Sequence, residues 1–419
     1  MPMVELWLPY GKTEVPVRIP DENLLGLIDI GDVPPAKPAE EILRAIDSPI
    51  GSAKLDEIAK PGKTVAIVVD DPFLQSNLVL SPLIDKLTNL GIVESEITVI
   101  LGCNAQNSEK LNSKPAAMLE TAKRVKIDKS NMDAGDFTHI GDTSRGTKIR
   151  IKKLFMEADI RILTGRIGFH PYAGYTGGRD GVLPAICGTE TIHHSYTSIL
   201  DSKAKPGSLE GNPFNEEMEE AARLARVSFI VNVVLNNKGE VVNAFAGDLD
   251  RAFLEGVRFV DEKFGVYAET AADIVILSSG GYPWDLNLYQ SCGGLASALN
   301  IVKDDGVIIW VAECPMGHGS DVFYDWMSKF KTADEAAIEI KRRYRIGGDV
   351  AYLLLKTLNR AKIILVSVVP DYYATGVFRL RTARTVNAAL SSAFRILGKK
   401  GKIFVLPHGN TVYPIIKRQ

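Results

Sequence analysis

The strongest constraint on the fold of this chain is a series of short, unbroken apolar runs, each closed by a polar or turn residue. Residues 65–70 read Val-Ala-Ile-Val-Val-Asp, residues 97–102 read Ile-Thr-Val-Ile-Leu-Gly, and similar runs occupy 160–165, 227–235 and 273–278. Nothing in them alternates between apolar and polar, so both faces must be buried. Strands of that kind belong in a parallel sheet covered by helices. Further runs at 306–312, 362–367 and 402–406 repeat the pattern. Between them lie helical stretches. One spans 81–90 and ends at Gly91; another begins at Asn212, with the asparagine as cap, Pro213 in the first turn and acids near the N-terminus. Two more are expected at 294–301 and 385–397. The predicted class is α/β, with two α/β domains of mainly parallel sheet.

At 419 residues, with 46% hydrophobic and 24% charged residues, the chain is long enough for two or three separate cores. The strand sets divide it into an N-terminal domain of 1–268, a C-terminal α/β domain of 269–405 and a tail of 406–419. Residues 261–263 and 267–270 are too charged and too low in glycine for a flexible linker, so a hinge between packed domains is expected near 262–272. A formal net charge of −2 provides no field for nucleic acid or an anionic membrane surface, and a small-molecule partner is favoured by elimination. The N-terminus lacks the basic start and cleavage site of a leader, and no uncharged apolar run approaches ~20 residues. A cytoplasmic location is expected. Cys103, Cys187, Cys292 and Cys314 show no CxxC spacing and read as small buried hydrophobes.

Ligands of open α/β sheets sit where strands end and glycine lets the backbone approach. One stretch has that form: Gly168-Phe-His-Pro-Tyr-Ala-Gly-Tyr-Thr-Gly-Gly-Arg-Asp-Gly-Val-Leu-Pro184, directly after the run at 160–165. With Gly188-Thr-Glu-Thr-Ile192, Gly207-Ser-Leu-Glu-Gly-Asn-Pro213, Ile230-Val-Asn-Val-Val-Leu235, Phe245-Ala-Gly-Asp248 and Gly281-Tyr-Pro-Trp-Asp-Leu-Asn-Leu-Tyr-Gln-Ser291, it resembles the lactate racemase family of nickel-dependent 2-hydroxy-acid racemases and epimerases. The matches stand in order along nearly the whole chain.

The resemblance implies a two-domain fold with a cleft, a tail that packs back on the first domain, and a nickel-pincer mononucleotide bound covalently through a lysine. It also implies two histidine bases, one for each enantiomer of a small hydroxy acid. His170 matches one of the two. The other position reads Gly102-Cys103-Asn104, and asparagine cannot take a proton near neutral pH. Asp180 replaces the lysine, in Gly177-Gly178-Arg179-Asp180, so a covalent tether is not expected there. Tyr196 stands where the family places its metal-binding histidine. His193 and His194 could substitute only through a shift of helix register. The family's Asp-x-Thr-Arg turn is represented by Asp70-Asp71-Pro72-Phe73-Leu74, and its Tyr-Gln-x-x-Lys by Tyr289-Gln290-Ser-Cys-Gly293. Two further family histidine positions hold Asn215 and Phe253.

These readings give His170 and Asp180 as candidate catalytic residues. Asp71, Gly177, Gly178 and Arg179 are candidates for cofactor or anion binding, the guanidinium and the glycine amides forming a clamp. Asn104, Tyr289 and Gln290 are candidates for substrate binding. No metal ligand set is identified. Plainer readings stand beside each: His170 as a structural histidine, Asp180 and the glycine pair as turn residues, His193 and His194 as a helix-surface pair, and Trp284 with Tyr289 as core. His318 and His408 follow strands and are candidates for the cleft. The family activity, a racemase or epimerase with a remodelled site, is the expected function. Two alternatives stay open: a nickel-independent hydratase, lyase or hydrolase using His170 and Asp180 as an acid/base pair, and a non-catalytic small-molecule-binding paralogue.

Overall fold

The computed structural model describes residues 2–31, 33–70, 76–103, 124–128 and 136–416. The chain forms two units, a central one of 33–262 and a terminal one that joins 1–32 to 263–419.

The terminal unit opens with an antiparallel hairpin, β1 (Met3–Tyr10) and β2 (Thr13–Pro20), followed by β3 (Leu24–Leu27). The central unit holds β4 (Val65–Val69), β5 (Ile97–Leu101), β6 (Lys126–Asp128), the antiparallel pair β7 (Phe137–Asp142) and β8 (Lys148–Lys152), and then β9 (Ile160–Arg166). A short antiparallel pair follows, β10 (Phe169–His170) and β11 (Gly174–Tyr175), and then β12 (Phe229–Leu235) and β13 (Val241–Gly247). Among the described residues its main sheet has the order β13-β12-β9-β4-β5-β6, parallel throughout except at β13. Every residue of β4 and β12 is buried, as an uninterrupted apolar run requires.

The rest of the terminal unit supplies β14 (Gly265–Ala268), β15 (Ala272–Ser278), β16 (Val302–Val311), β17 (Lys362–Val366), β18 (Arg381–Thr382), β19 (Ile403–Leu406) and β20 (Tyr413–Ile416). Its sheet runs β18-β17-β16-β15-β19-β3, all parallel. The α/β class with mainly parallel sheet is therefore as expected.

The unit boundaries differ from the sequence expectation at both ends of the first domain, since residues 1–32 and 263–268 both fall in the terminal unit. Residues 1–32, read as part of the first domain, belong to the terminal unit, because β3 extends its sheet beside β19 and Leu8, Val17 and Ile19 enter its core. β20, in the tail, pairs in parallel with β14 inside that same unit. A second difference is the helix Ser76–Asn89, expected to start at 81, which runs through Pro82. Its buried stripe of Val79, Leu80, Leu83, Ile84 and Leu87 continues across the proline and offsets the one backbone bond that proline removes. All four cysteines are free and buried; burial pushes the Cys314 thiol up to about 12. No helix among the described residues is long and apolar enough to cross a membrane.

Candidate active site

The sheet order places β9, β4 and β5 side by side and parallel, so the segments that follow them leave the same edge. The loop after β9 is tied to the end of β5, where the Cys103 N–H donates to the Ala185 carbonyl at 2.9 Å. Asp71 and Asn104, the candidates on the β4 and β5 loops, lie outside the described residues.

His170 ends β10 and is half-buried. Its Nδ1 accepts the backbone N–H groups of Tyr172 at 3.1 Å and Ala173 at 2.8 Å, and its ring lies 6.4 Å from those of Tyr172 and Phe214. Burial, and then the positive charges of Arg179 and Arg166, push its pKa down to about 3. The ring is neutral at physiological pH.

Gly177 and Gly178 follow with φ of 95° and 61°. A Cβ at Gly177 would meet the Arg166 carbonyl oxygen at 2.9 Å, and one at Gly178 the Phe253 ring at 3.2 Å, so glycine is required twice over. The turn is closed from within. The Gly177 N–H donates to Asp180 Oδ2 at 2.6 Å, and the Gly178 N–H to Asn232 Oδ1 at 3.3 Å. Asp180 thus holds its own turn.

Arg179 points inward, 2% exposed. Its Nε donates to Asn215 Oδ1 at 2.6 Å, Nη1 to the Gly177 carbonyl at 3.3 Å, and Nη2 to the carbonyls of Ala173 and Tyr175 at 3.1 and 3.2 Å. Its guanidinium lies over the Phe253 ring, 4.1 Å from the centroid. Burial lowers its pKa to about 10 against the raising influence of Asp180, Glu219 and Asp250, which leaves it charged at neutral pH. The side chain read as an anion clamp therefore binds the loop that carries His170. Asn215 and Phe253, the residues at two of the family's histidine positions, are the groups that receive it: one accepts a hydrogen bond, the other presents a ring face. A cation held this way would be opposed by protonated histidines at those positions.

Sequence reasoning did not single out Asn232. It lies fully buried in β12, and its Nδ2 meets no acceptor among the described residues. The legible signal was a lone amide in an otherwise apolar strand, a group that costs free energy unless it bonds. Asn212 caps the helix Pro213–Leu224 through Oδ1 and ties that helix to the His170 loop, its Nδ2 donating to the Tyr172 carbonyl at 2.7 Å.

The remaining candidates lie on other elements. His194 lies exposed on the helix Thr189–Ser195, its Nδ1 2.6 Å from Thr147 Oγ1. Thr147 also donates to the buried carboxylate of Glu217. Tyr289 and Gln290 belong to the terminal unit, on the helix Leu288–Ser291. The Tyr289 ring is 6.0 Å from that of Phe323, and Gln290 Oε1 accepts from Asn287 Nδ2 at 3.0 Å. Trp284 is 6% exposed, in keeping with core. His318, in the terminal unit, places its ring 5.0 Å from that of Tyr324.

The covalently tethered nickel pincer does not fit the residues present. Position 180 offers a carboxylate already engaged by the Gly177 amide, and a carboxylate cannot form the link that an amine forms. Tyr196, in place of the metal-binding histidine, is 7% exposed and stacks edge-on against Phe214 with centroids 4.9 Å apart. No group of three or more histidine, cysteine or acidic side chains suited to a metal occurs among the described residues.

A doubly covered parallel sheet, a histidine-bearing glycine loop at its strand ends and a second parallel α/β unit define a two-unit α/β protein whose candidate site lies on the loop after β9. Residues 10–207 match the lactate racemase N-terminal domain and residues 267–414 the lactate racemase C-terminal domain. The chain is 33% identical to the lactate racemase of Thermoanaerobacterium thermosaccharolyticum over 429 aligned residues, covering 98% of this chain and 99% of that one. It is 32% identical to the lactate racemase of Lactiplantibacillus plantarum over 420 residues, 97% of this chain and 99% of that one. The solved lactate racemase apoprotein from T. thermosaccharolyticum superposes with a TM-score of 0.86 at 30% identity, covering 98% of this chain and all of that chain. A Thermotoga maritima protein, at 15% identity and a TM-score of 0.66 over 92% of this chain, shares the fold. The chain belongs to the lactate racemase family.

Proposed function

We propose that this protein is a racemase- or epimerase-type isomerase acting on a small 2-hydroxy acid, with a site remodelled around residues 170–180. The observation that carries the reading is 33% identity with a lactate racemase across 98% of the chain, together with the retained Gly168-Phe-His-Pro-Tyr-Ala-Gly174. Inversion at a hydroxyl-bearing carbon requires that the carbon become planar and be refilled from the other face. The protein must hold the carboxylate and hydroxyl of the acid still while this happens.

His170 is the retained member of the family's histidine pair, and it stands on a loop fixed by Arg179, Asn212 and Asp180. Because Asp180 is engaged with Gly177, and the cations Arg179 and Arg166 are the charges that act on the His170 ring, an acid/base pair of His170 with Asp180 for elimination or hydrolysis is not favoured.

The test is chiral. Protein purified from its native host is incubated with single enantiomers of lactate and other small 2-hydroxy acids, and its metal content is measured in parallel. Conversion of a pure enantiomer into a mixture is the expected result. Unchanged enantiomeric purity across the series would overturn the reading.

A further inference from the structure

We infer that His170 is a neutral imidazole held in its Nε2–H tautomer, so that it meets a bound acid as a hydrogen-bond donor and not as a base. A histidine base needs a lone pair on the nitrogen that faces the substrate and a proton on the other, usually held by a carboxylate or carbonyl acceptor. Here the requirement is inverted. Two backbone N–H groups, from Tyr172 and Ala173, converge on Nδ1 at 3.1 and 2.8 Å. A lone pair must stand at Nδ1 to accept them, which leaves the single proton of the neutral ring on Nε2. The opposite tautomer would set an Nδ1–H against two amide hydrogens.

Asp180 uses Oδ2 to hold Gly177, and the charges that act on the ring are the cations Arg179 and Arg166. Protonation of Nδ1 would break both hydrogen bonds from the Tyr172 and Ala173 N–H groups and add a positive charge beside Arg179 and Arg166, so the doubly protonated ring is opposed as well.

The amides of Gly177 and Gly178 and four N–H groups of Arg179 end on protein acceptors. His170 Nε2 makes no hydrogen bond to any described residue. Its chemistry suits the hydroxyl or carboxylate oxygen of a small acid, where a fixed neutral donor stabilises negative charge as it gathers on oxygen. The inference takes up the isomerase reading for its ligand, but the tautomer can be measured without any turnover.

The experiment uses the full-length chain labelled with 15N-histidine. Long-range proton–nitrogen correlation spectra are recorded from about pH 5 to about pH 8, the range in which an ordinary histidine titrates. The His170 signals are assigned by their loss in His170→Gln. A protonated Nε2 and an unprotonated Nδ1 at every pH are expected. An Nδ1–H tautomer, or titration of the ring within that range, would overturn the inference. The tautomer outcome is independent of the enantiomer assay, so either can fail without the other.

Discussion

At the scale of single residues, the candidate site is organised by a cation that faces the protein. Arg179 binds Asn215 and the carbonyls of Gly177, Ala173 and Tyr175 while lying over Phe253. Its removal leaves several buried acceptors without donors, and such groups cost about 1–3 kcal/mol each when relaxation does not rescue them. Arg179→Met is expected to destabilise the protein by at least about 3 kcal/mol in urea unfolding. Arg179→Lys should recover only part of that loss, because a point charge cannot span the fork. Stability unchanged in both variants would return the guanidinium to a ligand-binding role. The sequence made Arg179 visible but not its direction, since the same residue serves an external anion or internal carbonyls and only the positive φ of the glycine pair decides which it reaches. His170 adds a pH dependence. Its folded-state pKa is lowered from 6.5 to about 3, so between those values the unfolded chain binds a proton that the folded chain does not. Stability therefore falls as pH drops from about 6.5 toward about 3. Measured as urea midpoint against pH, His170→Gln should show a shallower slope in that window, by up to about one proton.

At the scale of elements, the His170 loop is anchored by the start of a helix. Asn212 accepts from the N–H groups of Phe214 and Asn215 at 3.1 and 3.3 Å and donates to the carbonyls of Tyr172 and Ser208 at 2.7 and 2.9 Å. The cap alone is worth about 1 kcal/mol, up to about 2 when buried, and the two donated bonds add to it. Asn212→Ala should cost about 2 kcal/mol or more. Faster hydrogen exchange at the Tyr172 and Ala173 amides should accompany that cost. Asn212→Asp keeps the cap but sets an anion against two carbonyls; it should restore the helix and still release the loop. Equal exchange in all three proteins would show that the helix does not hold the loop. The cap and its following proline were legible because they are local. The strands were legible for a related reason: a run buried on both faces carries its burial in its own composition, as β4 and β12 do. The start of the helix Ser76–Asn89 was not, because Ser81 before Pro82 imitates a cap, and only the packed stripe from Val79 to Leu87 shows that the helix continues through it.

At the scale of the whole molecule, the least legible feature was the membership of residues 1–32. A short strand whose residues alternate between half-buried and exposed, β3, finds its partner β19 at the far end of the chain, and no local pattern encodes a pairing of that separation. What the sequence did contain was the alternation of β1 and β2, whose inward faces supply Leu8, Val17 and Ile19, all fully buried in the terminal unit's core with Val386, Ala389 and Leu390. Each such side chain contributes about 1.5–3 kcal/mol by burial, so the hairpin contributes roughly 5–9 kcal/mol. That is comparable to the roughly 5–15 kcal/mol by which a domain is stable at all. A chain beginning at residue 33 is therefore expected to lose the cooperative unfolding of its terminal unit. Hydrogen exchange should then be fast along β15, β16 and β17, while β4, β9 and β12 of the central unit, whose core contains no residue from the first 32, keep their protection. Retained protection along β15 to β17 in the truncated chain would mean that the hairpin covers the terminal core without stabilising it.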